Sequence, residues 1–469
     1  MSTFVEAVAN QEARTKNGMK ARKQTANSVV DLFYQIGASR GKDIIPQFVA
    51  AYVEDKELAL RVAAWARDVR GGAGERKLFR DILTHLEVAD PAAAIALSNK
   101  VPELGRFDDL FVFKTQALRN HAFSLLKKAL DDGNGLAAKW IPRKGDNAVQ
   151  FRNFLGWSPK RYRKTLVALT QVVETQMCAN KWDDINFSHV PSVASARYRK
   201  AFHRHTVKYA EYVEKLTKGD SSVKVNAAAI YPYEIVKDLR FQSTTTTTQL
   251  NHIIAQWNAL PNYVGEASIL PLVDVSGSMT CPAGNNTSVT CLDVAVSLGL
   301  YLADKNAGSF NNTFLTFSKN PDLVTLNGNI VEKYNQLSRA DWEMNTNLHA
   351  AFQKILNVAT INNVPQSEMP GIMLILSDMQ FDRCVTYDHS AMEMIKHKYS
   401  DAGYEMPNVV FWNLNSSDNV PVKYDQRGAA LVSGFSPSIM KSVLAADMDD
   451  FTPQGIMLTT ILNDRYSVI

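Results

Sequence analysis

The pattern of hydrophobic residues changes near residue 265, and this change restricts the chain to two differently folded parts. Before it, apolar residues recur at three- and four-residue spacing, which predicts a succession of helices. After it, short apolar runs alternate with helical segments, which predicts an α/β sheet with buried strands. The chain has 469 residues, enough for two or three domains with ordinary cores. We therefore predict an all-α domain in residues 1–265 and an α/β domain in residues 266–469.

Glycine- and proline-rich stretches divide the first part into amphipathic segments. The predicted helices are 26–36, 46–70, 76–86, 91–100, 110–130 and 160–178. Two similar phrases, Phe107-Asp108-Asp109-Leu110 and Trp182-Asp183-Asp184-Ile185, suit helix starts because acids near a helix N-terminus interact favourably with its dipole. Their recurrence indicates stacked helical hairpins of the solenoid kind.

The second part alternates predicted strands with predicted helices. The strands are 269–275, 313–317, 371–377 and 409–414, and the helices are 292–305, 347–359, 391–400 and 437–446. This order predicts a doubly wound sheet, in which ligands bind at the carboxyl ends of the strands.

The net charge of +4 hides an uneven distribution. Residues 1–265 contain 39 Lys and Arg against 26 Asp and Glu, a net charge of +13. Residues 266–469 contain 12 against 21, a net charge of −9. A basic half is expected where a chain meets a polyanion such as nucleic acid. The alternative is that basic helices pack against an acidic neighbouring domain, and charge by itself does not separate the two.

Three basic stretches in the helical part interleave cations with aromatic residues, which allows phosphate pairing and base stacking together. The alternative for any one of them is a solvated helix face. We find no recognition helix with a helix-turn-helix signature, so sequence-specific reading of a duplex is not expected. The candidate RNA-binding residues are Lys139, Arg143, Lys144, Arg152, Lys160, Arg161, Arg163, Lys164, Arg197, Arg199, Lys200, His203 and Arg204.

A candidate metal motif follows the first predicted strand of the second part. That strand ends in Asp274-x-Ser276-x-Ser278, and Mg²⁺ prefers such hard oxygen ligands in near-octahedral geometry. Thr346 opens a later helix, and Asp378 closes a later strand. The alternative is a strand-end Asp capping a helix, with the hydroxyls in ordinary turns.

These loops, in this order and spacing, resemble the metal-ion-dependent adhesion site of von Willebrand factor A domains. The resemblance implies that Ser276, Ser278 and Thr346 bind Mg²⁺ or another divalent cation directly, with Asp274 and Asp378 close to it. It also implies that a partner carboxylate completes the metal site and that the domain is not a catalyst. The glycine that usually follows the last acid is replaced by Met379, which changes the expected shape of that loop.

A helical basic part followed by such a domain resembles the Ro ribonucleoprotein family, which combines a TROVE module with a von Willebrand A domain. The phrases at 67–76, 101–106 and 178–183 (RDVRGGAGER, VPELGR and CANKWD) are most similar to an uncharacterised TROVE-like family. The resemblance implies a ring or solenoid of HEAT-like repeats. It also implies binding of small structured RNAs, or of the single-stranded ends of misfolded RNAs.

Several other classes of protein are not expected. The first residues carry no apolar run typical of a signal peptide, and no 18 consecutive residues are apolar, so we expect a cytoplasmic protein without a membrane span. The four cysteines form no CxxC pair, although Cys281 and Cys291 could meet across a loop. Phosphate-binding loop, HExxH and Gly-x-Ser-x-Gly motifs are absent from the sequence, so we expect no enzyme.

The sequence therefore predicts a non-catalytic RNA-binding protein of the Ro type, acting in RNA quality control or ribonucleoprotein assembly. The alternative is a metal-dependent protein-interaction adaptor that binds no nucleic acid.

Overall fold

A computed structural model describes residues 12–284, 286–317, 321–338, 347–381, 391–415, 419–447 and 450–468. The described strands are β1 (Glu12–Arg14), β2 (Lys20–Arg22), β3 (Ile269–Val273), β4 (Pro282–Ala283), β5 (Asn286–Thr290), β6 (Thr313–Thr316), β7 (Leu323–Thr325), β8 (Ile372–Ser377), β9 (Asn408–Asn413) and β10 (Ala429–Ser433).

The helices fall mainly in the first part of the chain and then alternate with the strands. They are α1 (Ser28–Ile36), α2 (Ile45–Glu54), α3 (Lys56–Arg67), α4 (Lys77–Ala89), α5 (Pro91–Ser98), α6 (Val101–Leu104), α7 (Gln116–Asp131), α8 (Gly135–Trp140), α9 (Asp146–Phe154), α10 (Pro159–Leu169), α11 (Val173–Cys178), α12 (Ser192–His205), α13 (Lys208–Thr217), α14 (Pro232–Val236), α15 (Thr247–Asn258), α16 (Cys291–Lys305), α17 (Ile330–Ser338), α18 (Leu348–Asn362), α19 (Ala391–Asp401), α20 (Met440–Ala445) and α21 (Pro453–Ile461). A helical region followed by a mixed sheet is thus confirmed.

The chain forms two compact units, and each combines segments that are distant in sequence. We call the first the sheet unit, which contains Met1–Glu54, Ile230–Thr246 and Leu260–Asn463. We call the second the helical unit, which contains Asp55–Ala229, Thr247–Ala259 and Asp464–Ile469. This division differs from the expected single boundary at residue 265. The difference arises because long-range packing, rather than chain order, decides which segments share a core.

The sheet unit is built on a six-stranded mixed sheet in the order β10-β9-β8-β3-β6-β7. Only the β6–β7 pair within this sheet is antiparallel. Numbered along the chain, the five parallel strands lie in the order 2-1-3-4-5, so the topology reverses between β3 and β8. A crevice at the carboxyl ends of two such strands is the usual ligand position in open α/β sheets.

Burial explains why the core strands were visible in the sequence. Every residue of β3 and β8 is buried, and such strands appear as continuous apolar runs. Helix α1 belongs to the same unit because it packs on β10. The Ser433 hydroxyl donates to the carbonyl of Phe33 at 3.2 Å and accepts from the N–H of Gly37 at 3.1 Å.

The predicted amphipathic segments form helices, several of them divided more finely, and those between Asp55 and Ala229 lie in the helical unit. The predicted helix 46–70 is two helices, α2 and α3, because Asp55 ends one and caps the next: its carboxylate accepts from the N–H of Leu58 at 2.9 Å. The two aromatic–acid–acid–aliphatic phrases both form 3₁₀-helices, Phe107–Val112 and Trp182–Asp184. No helix among the described residues is long and apolar enough to cross a bilayer.

Candidate functional site

Cations from two predicted basic stretches meet around one cavity of the helical unit. The cavity has a volume of about 630 Å³ and is formed by the loop after α8, by α9 and by the first turns of α10. We call it the basic groove. The charged residues that line it are Arg143, Lys144, Arg152, Lys160 and Arg163.

Local structure explains why these cations converge. Ser158 caps α10 by accepting from the N–H of Arg161 at 3.3 Å, and Pro159 occupies the first turn. The Tyr162 hydroxyl then donates to the carbonyl of Pro142 at 2.7 Å, which joins α10 to the loop after α8. Burial raises the pKa of Tyr162 to about 12, so this hydroxyl stays protonated at neutral pH. One buried tyrosine therefore joins the two basic stretches at the groove.

The groove cations have no neutralising partners among the residues that the structure describes. Residues 139–164 contain eight Lys and Arg but a single Asp. Elsewhere on the helical unit, exposed lysines are paired with acids four residues away, as in Lys127–Asp131 at 2.6 Å and Lys218–Glu214 at 2.6 Å. None of the five groove cations forms an ion pair in the described ranges. The groove therefore carries an uncompensated positive charge.

Three other predicted contacts lie near the groove without lining it. Lys139 is paired with Glu174 at 3.1 Å, which reduces its availability to a phosphate. The Arg161 guanidinium lies 4.7 Å from the centre of the Trp157 ring. Lys164 is exposed farther along α10.

The third basic stretch lies on α12 and contributes no residue to the groove. Arg197, Lys200 and Arg204 are exposed at spacings of three and four residues, and His203 is half-buried. Arg199 is only 1% exposed, because this position of α12 faces the core of the helical unit. Its side chain is therefore not available to a phosphate backbone, contrary to the prediction for this residue.

In the sheet unit, four of the five predicted metal ligands come together at the point where the strand order reverses. Asp274 directly follows β3 and Asp378 directly follows β8, so both lie at carboxyl ends of neighbouring parallel strands. Ser276 and Ser278 lie on the loop after Asp274. Thr346 lies outside the described residues. We call the segments 274–278 and 377–380 the metal loops.

Hydrogen bonds hold the metal loops together. The Ser377 hydroxyl donates to Asp274 Oδ2 at 2.6 Å, and the N–H of Ser276 donates to Asp274 Oδ1 at 2.9 Å. The hydroxyl oxygens of Ser276 and Ser278 are 3.0 Å apart. Two ligands on neighbouring corners of a Mg²⁺ octahedron lie about 3.0 Å apart, since each Mg–O distance is about 2.1 Å. The hydroxyl pair thus fits two positions of one ion.

The two carboxyls at this site are deeply buried. Burial raises the pKa of Asp274 to about 6, and the nearby Asp378 carboxylate adds to this effect. Burial also raises the pKa of Asp378. A bound cation would favour both charged forms. The described residues contain no group of three His, Cys, Asp or Glu side chains placed for a metal, so a metal here would depend on the hydroxyls as well.

Met379 adopts the backbone conformation that glycine usually supplies in this position. Its φ is +65°, in the left-handed region that is unfavourable for side chains with a Cβ. The N–H of Met379 donates to the Ser377 hydroxyl at 2.9 Å, and its side chain is buried. The replacement of glycine therefore leaves the loop able to present Asp378.

Sequence reasoning missed a second basic cavity, in the sheet unit. It has a volume of about 480 Å³ and lies beside the starts of β9 and β10. Its cations come from three distant segments, two of which lie in the acidic second half of the chain, so no run in the sequence could have revealed it. They are Lys20, Arg22, Lys396, Lys423 and Arg427.

Comparisons with known proteins agree with this architecture. The family described as "Domain of unknown function (DUF7788)" matches residues 268–457, and "Domain of unknown function (DUF2828)" matches residues 15–103 and 139–270. "Uncharacterized protein L728" of Acanthamoeba polyphaga mimivirus is 28% identical over 95% of this chain and 86% of its own length. The crystal structure of the Deinococcus radiodurans Ro (RSR) protein superposes with a TM-score of 0.50. It covers 92% of this chain and 99% of that one at 14% identity. The chain is similar in fold to a Ro protein. At this identity the similarity concerns the fold alone.

Proposed function

We propose that the protein is a non-catalytic, Ro-type RNA-binding protein and that the basic groove contacts the phosphate backbone. The observation that carries this proposal is the convergence of five cations, with no ion-pair partner in the described ranges, around a cavity of about 630 Å³. Burying or crowding like charges is unfavourable unless a counter-charge is supplied. A polyanion supplies that charge, and counterions released from it add to the affinity.

The side chains of the groove indicate how RNA is recognised. Its charged groups suit phosphates, whereas the aromatic groups near it are already engaged: Tyr162 is buried, and Trp157 is covered by Arg161. Few free aromatic faces or amide groups therefore remain to read base edges. We infer that RNA is held mainly through its backbone, with loose sequence preference. Single-stranded ends and small structured RNAs both satisfy this requirement.

Two independent features support the proposal. The helical unit holds 31 Lys and Arg against 20 Asp and Glu, a net charge of +11, whereas the sheet unit has a net charge of −7. The fold similarity to a Ro protein is consistent with the same role.

The experiment compares two charge reversals on the same helix. Lys160→Glu with Arg163→Glu changes two residues that line the groove. Arg161→Glu with Lys164→Glu makes the same change in net charge at two exposed positions of α10 outside the lining. Binding of a structured RNA with a single-stranded 3′ tail is measured for both variants and the unchanged protein across a salt series.

The groove variant should bind RNA roughly tenfold or more weakly, and the slope of log affinity against log salt should fall by about two, one for each lost phosphate contact. The control variant should lose much less, because its charges act only at a distance. Equal losses in the two variants would show that the groove is not the contact. If the unchanged protein binds no RNA at low salt, the proposed function is wrong.

A second candidate function rests on the metal loops. We propose that Asp274, Ser276, Ser278, Thr346 and Asp378 hold Mg²⁺ or another divalent cation, to which a protein partner donates a carboxylate. The hydroxyl separation of 3.0 Å and the position at the strand-order reversal favour this function. It is compatible with RNA binding, since the groove and the metal loops belong to different units.

A further inference from the structure

Two free thiols lie side by side next to the metal loops. Cys281 and Cys291 have their sulfur atoms 3.5 Å apart. Cys281 is partly exposed, whereas Cys291 is buried at the first residue of α16. Neither the RNA-binding proposal nor the metal proposal uses these groups.

The backbone around the two cysteines has the geometry of a cross-strand pair. The hairpin β4–β5 connects them, and Pro282 is paired with Thr290 in its antiparallel register. One residue farther out, the N–H of Cys291 donates to the carbonyl of Cys281 at 3.0 Å. Opposed residues in antiparallel strands have Cα atoms about 4.5–5.5 Å apart, and disulfides bridge Cα atoms about 4.4–6.8 Å apart. The backbone therefore places the two cysteines opposite each other, as a cross-strand disulfide requires.

Both sulfurs are held in place by neighbouring groups. The Asn415 side-chain amide donates to Cys281 Sγ at 3.4 Å, and the Cys291 thiol donates to the carbonyl of Leu414 at 3.6 Å. These contacts hold the thiols beside each other at the carboxyl end of β9. A disulfide holds two sulfur atoms about 2.05 Å apart, so the pair at 3.5 Å would approach by about 1.5 Å.

We propose that Cys281 and Cys291 are an oxidation site that forms a reversible disulfide in the presence of a hydroperoxide. The partly exposed Cys281 is the thiol that the oxidant reaches, and the buried Cys291 is the resolving thiol. The site is independent of the RNA-binding function proposed above.

The chemistry balances with hydrogen peroxide as the oxidant. The Cys281 sulfur attacks one peroxide oxygen, an S–O bond forms, and the O–O bond breaks to release hydroxide, which takes the Cys281 thiol proton and becomes water. The Cys291 sulfur then attacks the Cys281 sulfur, so that the S–S bond forms and the S–O bond breaks. The second hydroxide takes the Cys291 proton and leaves as water. The dithiol has lost two electrons and two protons, and one peroxide has become two water molecules.

The disulfide would close an eleven-residue ring that contains the whole β4–β5 hairpin. This ring is attached to the metal loops, because the N–H of Cys281 donates to the carbonyl of Ser278 at 3.3 Å. Oxidation would therefore restrain the hairpin and link the start of α16 covalently to the segment after Ser278. Reduction by a dithiol restores the free pair.

The test treats the full-length protein with equimolar hydrogen peroxide and maps its peptides without reduction. The expected result is a peptide pair joined through Cys281 and Cys291, with a loss of about 2 Da that dithiothreitol reverses. Cys178→Ser is the matched control, since Cys178 is an exposed free thiol remote in sequence from the pair, and this variant should form the same crosslink.

Two further variants keep the result interpretable. In Cys291→Ser, Cys281 should stop at the sulfenic acid, which gains about 16 Da and reacts with dimedone. In Cys281→Ser the buried Cys291 thiol should resist the same dose of peroxide. This variant keeps Cys291 in the core, so it can still be measured if Cys291→Ser folds poorly. Crosslinks from Cys281 mainly to Cys178 or Cys384, or oxidation of Cys281 to the sulfinic acid without a link to Cys291, would overturn the proposal.

Discussion

The positions of a few side chains in the structure determine the geometry of the metal loops. Ser276 and Ser278 are two positions apart in the sequence. Their hydroxyl oxygens lie 3.0 Å apart because the loop after β3 turns into the 3₁₀-helix Gly277–Thr280. Asp274 is fixed by donors from both metal loops. Met379, which directly follows Asp378, has an unfavourable φ of +65°. The cost of such a conformation is of order 1 kcal/mol, which the surrounding hydrogen bonds offset.

Removing both hydroxyls tests the metal without disturbing the fold. In Ser276→Ala with Ser278→Ala, the two mutually bonded hydroxyls disappear together, and the Asp274 and Asp378 carboxyls each lose one hydroxyl donor. The metal-free protein should therefore lose about 1–3 kcal/mol of unfolding free energy while keeping its fold. The unchanged protein should be stabilised by Mg²⁺, by about 2.7 kcal/mol when the ion exceeds its Kd a hundredfold. The variant should lose that gain, which thermal melts in Mg²⁺ and in EDTA would show.

Thr280→Ala is the control for this measurement. Thr280 is exposed on the same 3₁₀-helix, and its hydroxyl donates to the carbonyl of Gly277 rather than to the metal loops. Its Mg²⁺-dependent stabilisation should equal that of the unchanged protein. If millimolar Mg²⁺ does not change the melting temperature of the unchanged protein, the metal proposal is wrong.

At the scale of elements, the phrase Phe107-Asp108-Asp109-Leu110 starts the 3₁₀-helix after α6 and also joins it to two other helices. Asp109, in the 3₁₀-helix after α6, accepts from Arg67 of α3 at 2.7 Å and from Arg80 of α4 at 2.6 Å. Arg67 and Asp109 are 1% and 0% exposed, so their ion pair lies in the core of the helical unit. The second acid of the phrase thus has two roles. It accepts from the N–H of Arg106 at 3.0 Å at the start of the 3₁₀-helix, as expected for a helix start, and it neutralises the buried Arg67.

Neutralising Asp109 should therefore destabilise the helical unit strongly. In Asp109→Asn, the Arg67 guanidinium stays buried without its counter-charge, which costs about 3–5 kcal/mol of unfolding free energy. Urea unfolding measures the loss. Asp132→Asn, an exposed residue at the end of α7, is the matched control and should change the free energy of unfolding by less than about 0.5 kcal/mol. Similar effects of the two substitutions would show that the buried pair contributes little.

At the scale of the whole molecule, each end of the chain belongs to a different unit from the residues that adjoin it in the sequence. Residues 1–54 belong to the sheet unit, although the rest of that unit begins at Ile230. The last segment, Asp464–Ile469, belongs to the helical unit, where Arg465 donates to the buried Asp68 at 2.6 Å and the Tyr466 hydroxyl donates to it at 3.0 Å. A cut at residue 265 therefore separates segments that share a core.

A fragment of residues 1–265 should consequently fail to fold cleanly. It retains α1, in which eight of nine residues are buried, but lacks the β10 strand that covers them. It also leaves the Asp68 carboxylate without Arg465. We expect limited proteolysis to remove residues up to Glu54 from the fragment while the full chain protects them. Equal protection in both would mean that α1 is stable without the sheet.

The sequence alone was sufficient for features that depend on neighbours along the chain. The apolar periodicity before residue 265 and the apolar runs after it predicted most helices and the central strands. They did so because the spacing of apolar residues along the chain reflects which face of a helix or strand is buried. The order of the metal loops and the positions of the basic stretches followed in the same way. The short strand β10 escaped notice because four apolar residues followed by Ser433 fit a strand or a buried helix equally well.

Tertiary structure decided everything that depends on which distant segments meet. It brought Arg143 and Arg152 together with Lys160 and Arg163 around the groove, and it buried Arg199. It also placed the Cys281 and Cys291 sulfurs 3.5 Å apart and assigned residues 1–54 to the sheet unit. The physical reason is that a residue's type and spacing report whether it prefers to be buried or solvated. The partner that buries or neutralises it is selected by long-range packing, and that selection leaves no periodic signal in the sequence.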